Sequence, residues 1–136
     1  MHIQVNKMKL SEILKSLADE NRIRIVNLLL KEAELCVCEI ETILELSQTN
    51  ASRHLAKLKS AGMVVLRKEN QWAYYRIAGK FVSGHGMLLD YLKLALQDDE
   101  ACVSDLEKLK KYKELGFTCE KIKCEKADVL KKIGKS

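Results

Sequence analysis

The stretch that decides the fold runs over residues 47–62 and reads SQTNASRHLAKLKSAG. Three apolar side chains in it recur at helical spacing and predict the buried stripe of a helix. They are Ala51, Leu55 and Leu58. Ser47 is expected to cap this helix because its hydroxyl can accept a hydrogen bond from a first-turn amide, and Gly62 is expected to end it. The sequence therefore predicts a helix from Gln48 to about Ala61.

The opposite face of this helix carries side chains suited to DNA contact. Hydroxyl, amide, imidazole and cationic groups bind base edges and phosphates. The candidates are Ser47, Gln48, Thr49, Asn50, Ser52, Arg53, His54 and Lys57. Scattered basic residues are more often a solvated surface, but the position of Arg53 and Lys57 on this helix favours a DNA contact.

A β-hairpin is predicted directly after the helix. Residues 63–68 and 72–77 are short runs of strand-forming residues, and Asn70 between them tolerates a positive φ. The strands add three basic candidates for DNA contact. They are Arg67, Lys68 and Arg76.

Positive charge is concentrated in this same part of the chain. The net charge of the 136 residues is +5, yet residues 47–80 alone hold 7 basic and 1 acidic side chains, which is +6. A single-sign block is typical of proteins that contact the phosphate backbone of nucleic acids.

Helices are predicted on both sides of the unit. Upstream, apolar spacing indicates a helix from about Lys7 to Ala18, a second capped by Asp19, and a third over 36–46. Downstream, residues 85–97 contain more leucine than a single surface-lying helix needs, and the excess predicts a dimer interface.

Two helices followed by a hairpin make a winged helix-turn-helix, whose second helix enters the major groove of DNA. We predict a mainly α fold with a small β-hairpin, dimeric, with a DNA-binding and dimerisation domain over residues 1–98. Residues 99–136 are interpreted as a charged, cysteine-containing C-terminal helix or tail with little apolar stripe to anchor it.

Composition and motifs narrow the function further. The chain has no apolar run of membrane-spanning length and no visible secretory signal, so a cytoplasmic protein without membrane contact is expected. Hydrolase motifs, a P-loop and dinucleotide-binding glycines are missing, so neither an enzyme nor an organic cofactor is expected.

Four motifs, in order, resemble those of one known family. Residues 17–25 read LADENRIRI, residues 34–40 read ELCVCEI, and residues 47–58 read SQTNASRHLAKL. The fourth motif is GMV at 62–64 followed by YYRI at 74–77. Over residues 8–97 the chain is similar to the arsenical-resistance repressor (ArsR-type) family of winged-helix metalloregulators.

This resemblance implies a homodimeric repressor that binds double-stranded operator DNA and releases it when a thiophilic ion binds. Cys36 and Cys38 resemble the family's site for As(III) or Sb(III), which relatives also use for cadmium, lead or bismuth. The family pattern often has a third cysteine three residues after the second, where this chain has Glu41. The third ligand is therefore left open.

The five cysteines are candidate ligands because soft ions prefer thiolates. An odd number fits poorly with paired disulfides. Side chains two apart on an ideal helix point about 200° away from each other, so Cys36 and Cys38 are expected to need local unwinding to share an ion. Either Cys119 or Cys124 is expected to complete a site, with Cys102 as a weaker candidate.

The thiols are also compatible with roles other than a three-thiolate site. Cys36 and Cys38 could be small core residues, or two thiolates could bind an ion together with an external ligand. A repressor that senses thiol oxidation, a small thiol-redox protein and a DNA-binding protein with incidental thiols are the competing functions.

Overall fold

A computed structural model of the protein describes residues 9–134. These residues form eight α-helices and three short strands, with a 3₁₀ turn at Leu96–Asp98. The elements are α1 Leu10–Leu17, α2 Glu20–Lys31, β1 Leu35–Cys36, α3 Val37–Leu44, α4 Gln48–Ser60, β2 Val64–Glu69, β3 Trp72–Ile77, α5 Gly79–Gly84, α6 Gly86–Ala95, α7 Glu100–Glu114 and α8 Cys119–Lys132.

Helices α3 and α4 form the predicted helix-turn-helix. The Ser47 hydroxyl accepts from the Asn50 amide at 3.1 Å, and Gly62 follows the helix with a φ of +79°. The stripe of Ala51, Leu55 and Leu58 is fully buried. Both ends of α4 and its inner face are therefore confirmed.

The sheet contains the predicted hairpin and one strand that was not predicted. Strands β2 and β3 are antiparallel, and Asn70 in their turn has a φ of +56°. Strand β1 pairs with the other edge of β3, which places Cys36 opposite Tyr74. The prediction that Cys36 begins α3 is wrong, because its backbone is extended (φ −74°, ψ 149°) and it caps the helix that begins at Val37.

The first two helices follow their sequence signals. Asp19 accepts from the Arg22 amide at 3.1 Å and caps α2 as predicted. Helix α1 begins at Leu10, and the predicted start at Lys7 lies outside the described residues. The leucine-rich segment predicted over 85–97 corresponds to α6 and the 3₁₀ turn.

The C-terminal extension, residues 99–134, packs on α2 and on the helix-turn-helix. Helix α7 lies against α2, and α8 lies against α3. Five apolar side chains of the extension join the same hydrophobic core. They are Leu109, Tyr112, Ile122, Val129 and Ile133. The expectation that residues beyond 98 have little to anchor them is therefore wrong.

Within residues 9–134, none of the helices combines the length and the apolar character needed to cross a membrane.

Candidate metal centre and DNA-reading face

Three cysteine thiols converge at the junction between the helix-turn-helix and the C-terminal extension. The Sγ atoms of Cys36, Cys38 and Cys119 all lie within 4.8 Å of one another. Those of Cys36 and Cys38 are 3.2 Å apart. Cys36 is fully buried and Cys119 is 7% exposed, so the cluster is largely shielded from water.

Two helix N-termini bring the thiols together. Cys36 caps α3, Cys38 lies in its first turn, and Cys119 is the first residue of α8. Cys36 lies outside the helix, so its sulfur can approach that of Cys38 without any unwinding of α3. The predicted need for local unwinding is therefore wrong. The positive ends of both helix dipoles favour negative charge on the sulfurs.

Hydrogen bonds within the cluster give the three thiols different pKa values. The Cys119 and Cys38 thiols donate to Cys36 and lower the pKa of Cys36 to about 3. The Cys119 hydrogen bond acts to lower the pKa of Cys38, but the hydrogen bond to Cys36, burial and nearby negative charges outweigh it and raise that pKa to about 12. Hydrogen bonds to Cys36 and Cys38, together with burial, also raise the pKa of Cys119. Cys36 is therefore the most acidic of the three thiols.

The donor set suits a soft ion. Three thiolates converging on one point match the preference of polarizable metals and metalloids for sulfur. Glu41 is not in this group; its carboxylate is half-buried, 3.9 Å from the Lys126 ammonium, and burial raises its pKa. The third thiol beside Cys36 and Cys38 therefore comes from Cys119, and Glu41 takes no part in the cluster.

The remaining two cysteines lie apart from the cluster in the described chain. Cys102 is buried at the start of α7, and burial, with the Asp99 carboxylate nearby, raises its pKa to about 12. Cys124 is exposed on α8. Of the three cysteines beyond residue 98, the structure brings only Cys119 to Cys36 and Cys38.

A carboxylate that the sequence pattern did not reveal supports the thiol cluster. Glu39 Oε1 accepts a hydrogen bond from the Cys36 amide at 2.9 Å. The spacing is that of a capping box, in which the third helical residue binds the amide of the cap. A cysteine in the position usually held by serine or threonine concealed this signal.

The outward face of α4 presents most of the predicted DNA-contact residues. Asn50 is half-buried, and its Oδ1 accepts from Arg53 Nη2 at 2.6 Å, which orders the Arg53 side chain. The exposed residues of this set are Ser47, Gln48, Thr49, Ser52, Arg53 and Lys57.

His54 departs from the prediction that it lies near phosphate. Its side chain is buried, and its Nδ1 accepts from Arg22 Nη1 at 3.1 Å. Arg22 in turn donates through Nε to the Ser16 carbonyl at 2.7 Å. His54 therefore holds α4 to the start of α2 and does not face outward.

The basic residues of the hairpin differ in their freedom. Lys68 and Arg76 are exposed. Arg67 donates to both carboxylate oxygens of Glu34, at 2.8 and 3.0 Å, and its guanidinium lies 4.5 Å from the centre of the Tyr74 ring. Its Nη1 also donates to Glu69 Oε1 at 2.5 Å, so Arg67 is paired with two acidic residues, Glu34 just before β1 and Glu69 at the end of β2.

Residues 19–65 match the sequence profile described as bacterial regulatory protein, arsR family. The arsenic resistance transcriptional regulator ArsR2 of Pseudomonas putida is 39% identical over 94 residues, which cover 69% of this chain and 79% of that protein. The chain belongs to the ArsR family. The related ArsR1 of P. putida is 51% identical over 65 residues, 48% of this chain and about half (51%) of that protein.

Solved structures of similar proteins share the fold. Reduced HlyU from Vibrio cholerae is 40% identical, with a TM-score of 0.52 over 60% of this chain and 85% of that one. A homodimeric winged helix-turn-helix domain from Mycobacterium bovis is 36% identical, with a TM-score of 0.54 over 61% of this chain and 76% of that one. The relatives and the winged helix-turn-helix fold are typical of transcriptional regulators and not of enzymes. The hypothesis of a thiol-redox enzyme is therefore rejected. Cys36 and Cys38 lie within the family match, whereas Cys119 lies beyond it.

Proposed function

We propose that this chain is a transcriptional repressor that binds operator DNA as a homodimer and releases it when As(III) or Sb(III) binds to Cys36, Cys38 and Cys119. The observation that carries the proposal is the three-thiol cluster built onto a helix-turn-helix. A Staphylococcus aureus relative, 39% identical over 77 residues, is named as a cadmium resistance regulator. Cadmium, lead and bismuth are therefore tested as alternative effectors.

The DNA contact is assigned to the exposed face of α4 and to the hairpin. The net charge of +6 over residues 47–80 attracts the phosphate backbone, while the exposed amides and hydroxyls of α4 can address base edges. A dimer presents two such helices to two half-sites, so a two-fold symmetric operator is expected.

The thiol cluster is physically linked to both DNA-contacting elements. Cys38 lies on α3, the partner of α4, and Cys36 pairs through β1 with Tyr74 of the hairpin. An effector held by Cys119 as well would fix the α8 N-terminus against these elements. Binding of the effector then lowers the affinity for DNA, and binding of DNA lowers the affinity for the effector by the same factor. The coupling free energy is on the order of 1–3 kcal/mol.

The decisive experiment measures DNA release by fluorescence anisotropy. A duplex selected from a random library by the apo protein is bound at fixed salt and titrated with arsenite, antimonite, cadmium, lead, bismuth and zinc. Arsenite is expected to release the duplex from the wild type. Cys119→Ser should bind the duplex normally but release it only at much higher arsenite concentration.

Two matched variants complete this experiment. Cys124→Ser removes an exposed thiol of the same helix and should leave release unchanged. Arg53→Ala should weaken duplex binding while leaving arsenite affinity intact, because Arg53 lies on the exposed face of α4 and is not part of the thiol cluster. Normal release from Cys119→Ser would contradict the three-thiol site.

A second candidate, sensing of thiol oxidation, is favoured by the 3.2 Å separation of the Cys36 and Cys38 sulfurs. Peroxide could join two of the thiols in a disulfide, each giving up a proton and an electron as peroxide is reduced to water. Release of DNA by hydrogen peroxide, reversed by a dithiol and absent with arsenite, would favour this function over the first.

A further inference from the structure

The C-terminal extension contacts the thiol cluster through a second residue besides Cys119. The hydroxyl of Tyr112 on α7 donates to Glu39 Oε2 at 2.6 Å. The other oxygen of the same carboxylate, Oε1, accepts from the Cys36 amide at 2.9 Å. One carboxylate thus joins a buried tyrosine, 73 positions away in sequence, to the backbone of a thiol residue.

We infer that Tyr112 is a positioning residue of the thiol site: through Glu39 it fixes the backbone of Cys36 and so holds its sulfur in place for a soft ion. The inference rests on the proposed function, and it adds a residue outside the matched family region. The tyrosine does not touch the ion; it acts through the carboxylate.

Burial makes this hydrogen bond a constraint. Tyr112 is fully buried, and its ring packs on Phe117 with the ring centres 5.9 Å apart. The ring cannot turn its hydroxyl to water without leaving the core, so the hydroxyl is held toward Glu39. A short hydrogen bond to a carboxylate is stronger than one between neutral groups.

Glu39 has room to move when the tyrosine hydroxyl is removed. A pocket of about 300 Å³ lies beside it and is also lined by Trp72, Tyr74 and Cys119. Without Tyr112 as a donor, the carboxylate can turn toward water in this pocket and release the Cys36 amide. Partners of metal ligands typically contribute 10- to 100-fold to affinity by orienting them.

The test uses Tyr112→Phe in the full chain, since phenylalanine keeps the ring and its packing. Amide hydrogen exchange by NMR is measured first on the metal-free protein, where the Cys36 amide should exchange at least several-fold faster than in the wild type. Arsenite affinity, measured by the ultraviolet absorption of the arsenic–thiolate bonds, should fall about 10-fold, with duplex affinity unchanged.

Glu39→Gln and the double variant test whether the two residues act together. Because both operate through one carboxylate, their losses of arsenite affinity should not add, and the double variant should bind no more weakly than Glu39→Gln alone. Leu106→Ala loosens the packing of the same helix without touching Glu39, and it should leave the Cys36 amide and arsenite affinity unchanged.

The failures are distinguishable. No arsenite binding by the wild type overturns the proposed effector, whatever the variants do. Arsenite binding by the wild type that Tyr112→Phe leaves unchanged, an unchanged Cys36 amide, or fully additive losses each overturn the positioning role. An equal loss in Leu106→Ala also overturns it, since loosened packing would then account for the effect.

Discussion

Asp105 is a buried charged residue that ties the C-terminal extension to α2. It is 1% exposed, and its two oxygens accept from Nε and Nη2 of Arg24 at 2.8 and 2.9 Å. The hydrogen bond from Arg24 to Asp105 raises the pKa of the guanidinium. Such a fork is strong only while both partners are present, because removing one leaves a buried charge unpaired.

Asp105→Ala is therefore expected to lower the free energy of unfolding by about 3 kcal/mol, measured by urea denaturation. The matched control is Lys113→Ala. It breaks an exposed contact of 3.5 Å between Lys113 of α7 and Glu32 at the end of α2. This control should cost no more than about 0.5 kcal/mol. Equal losses in the two variants would show that Asp105 does not anchor the extension.

Single residues also show where sequence reasoning succeeded and where it failed. The caps at Asp19 and Ser47 were predictable because both partners of each hydrogen bond lie within three residues. His54 was predicted to face outward because it is polar, yet it lies three residues after Ala51 and four before Leu58, which is the spacing of the buried stripe. Its partner Arg22 comes from another helix, and local sequence does not reveal such a contact.

At the scale of elements, long-range pairing was the main obstacle to prediction. Strand β1 is two residues long and is recognisable only from its partner β3. The inner faces of α7 and α8 do recur at helical spacing, but cysteine, aspartate and tyrosine interrupt the aliphatic pattern. The position of Cys119 beside Cys36 depends on this packing. The sequence therefore identified Cys119 as one of several candidates for the third thiol but could not distinguish it from Cys124 and Cys102.

The pairing of β1 with the hairpin places Glu34 beside Arg67, where its carboxylate competes with DNA phosphate for the guanidinium. A phosphate that approaches Arg67 must displace the Glu34 carboxylate, which accepts two of its hydrogen bonds, whereas Glu69 accepts one. The hydrogen bond from Arg67 lowers the pKa of Glu34. Glu34→Gln is expected to tighten duplex binding several-fold at about 0.1 M salt. The slope of log affinity against log salt should steepen by about 0.9, as for one added phosphate contact.

Glu107→Gln is the control for this variant, because it removes one negative charge from the exposed surface of α7. It changes the net charge equally but leaves the Arg67 pair intact. Anisotropy titrations over a range of salt separate the two effects. Equal affinity and slope in both variants would mean that Glu34 does not restrain Arg67.

At the scale of the whole molecule, apolar surface is concentrated on two helices. Five of the large hydrophobic side chains exposed in the described residues belong to α1 and α6. They are Leu10, Leu14, Met87, Tyr91 and Leu94, with exposures of 59%, 50%, 88%, 64% and 68%. Apolar side chains exposed in such number are typical of an interface, and they support the proposed homodimer.

Leu94→Glu is expected to produce a monomer, because a charge in a self-complementary apolar interface is buried twice. Val103→Glu places the same charge at an exposed apolar position on α7, and sedimentation should show that it remains dimeric. Loss of the dimer should weaken operator binding on the order of 100-fold, since two half-sites no longer act together. A Leu94→Glu protein with the wild-type mass would place the interface elsewhere.

The same monomer decides whether the thiol site belongs to one chain. Cys36, Cys38 and Cys119 converge within a single chain, so monomeric Leu94→Glu should still bind one arsenite per chain with near wild-type affinity. A site shared across the dimer would instead lose affinity together with dimerisation. Arsenite titration of the monomer, followed by thiolate absorption, therefore separates the cost of losing the dimer from the cost of losing a ligand. Retained arsenite binding with weakened DNA binding would show that sensing is complete in each subunit and that DNA recognition requires the pair.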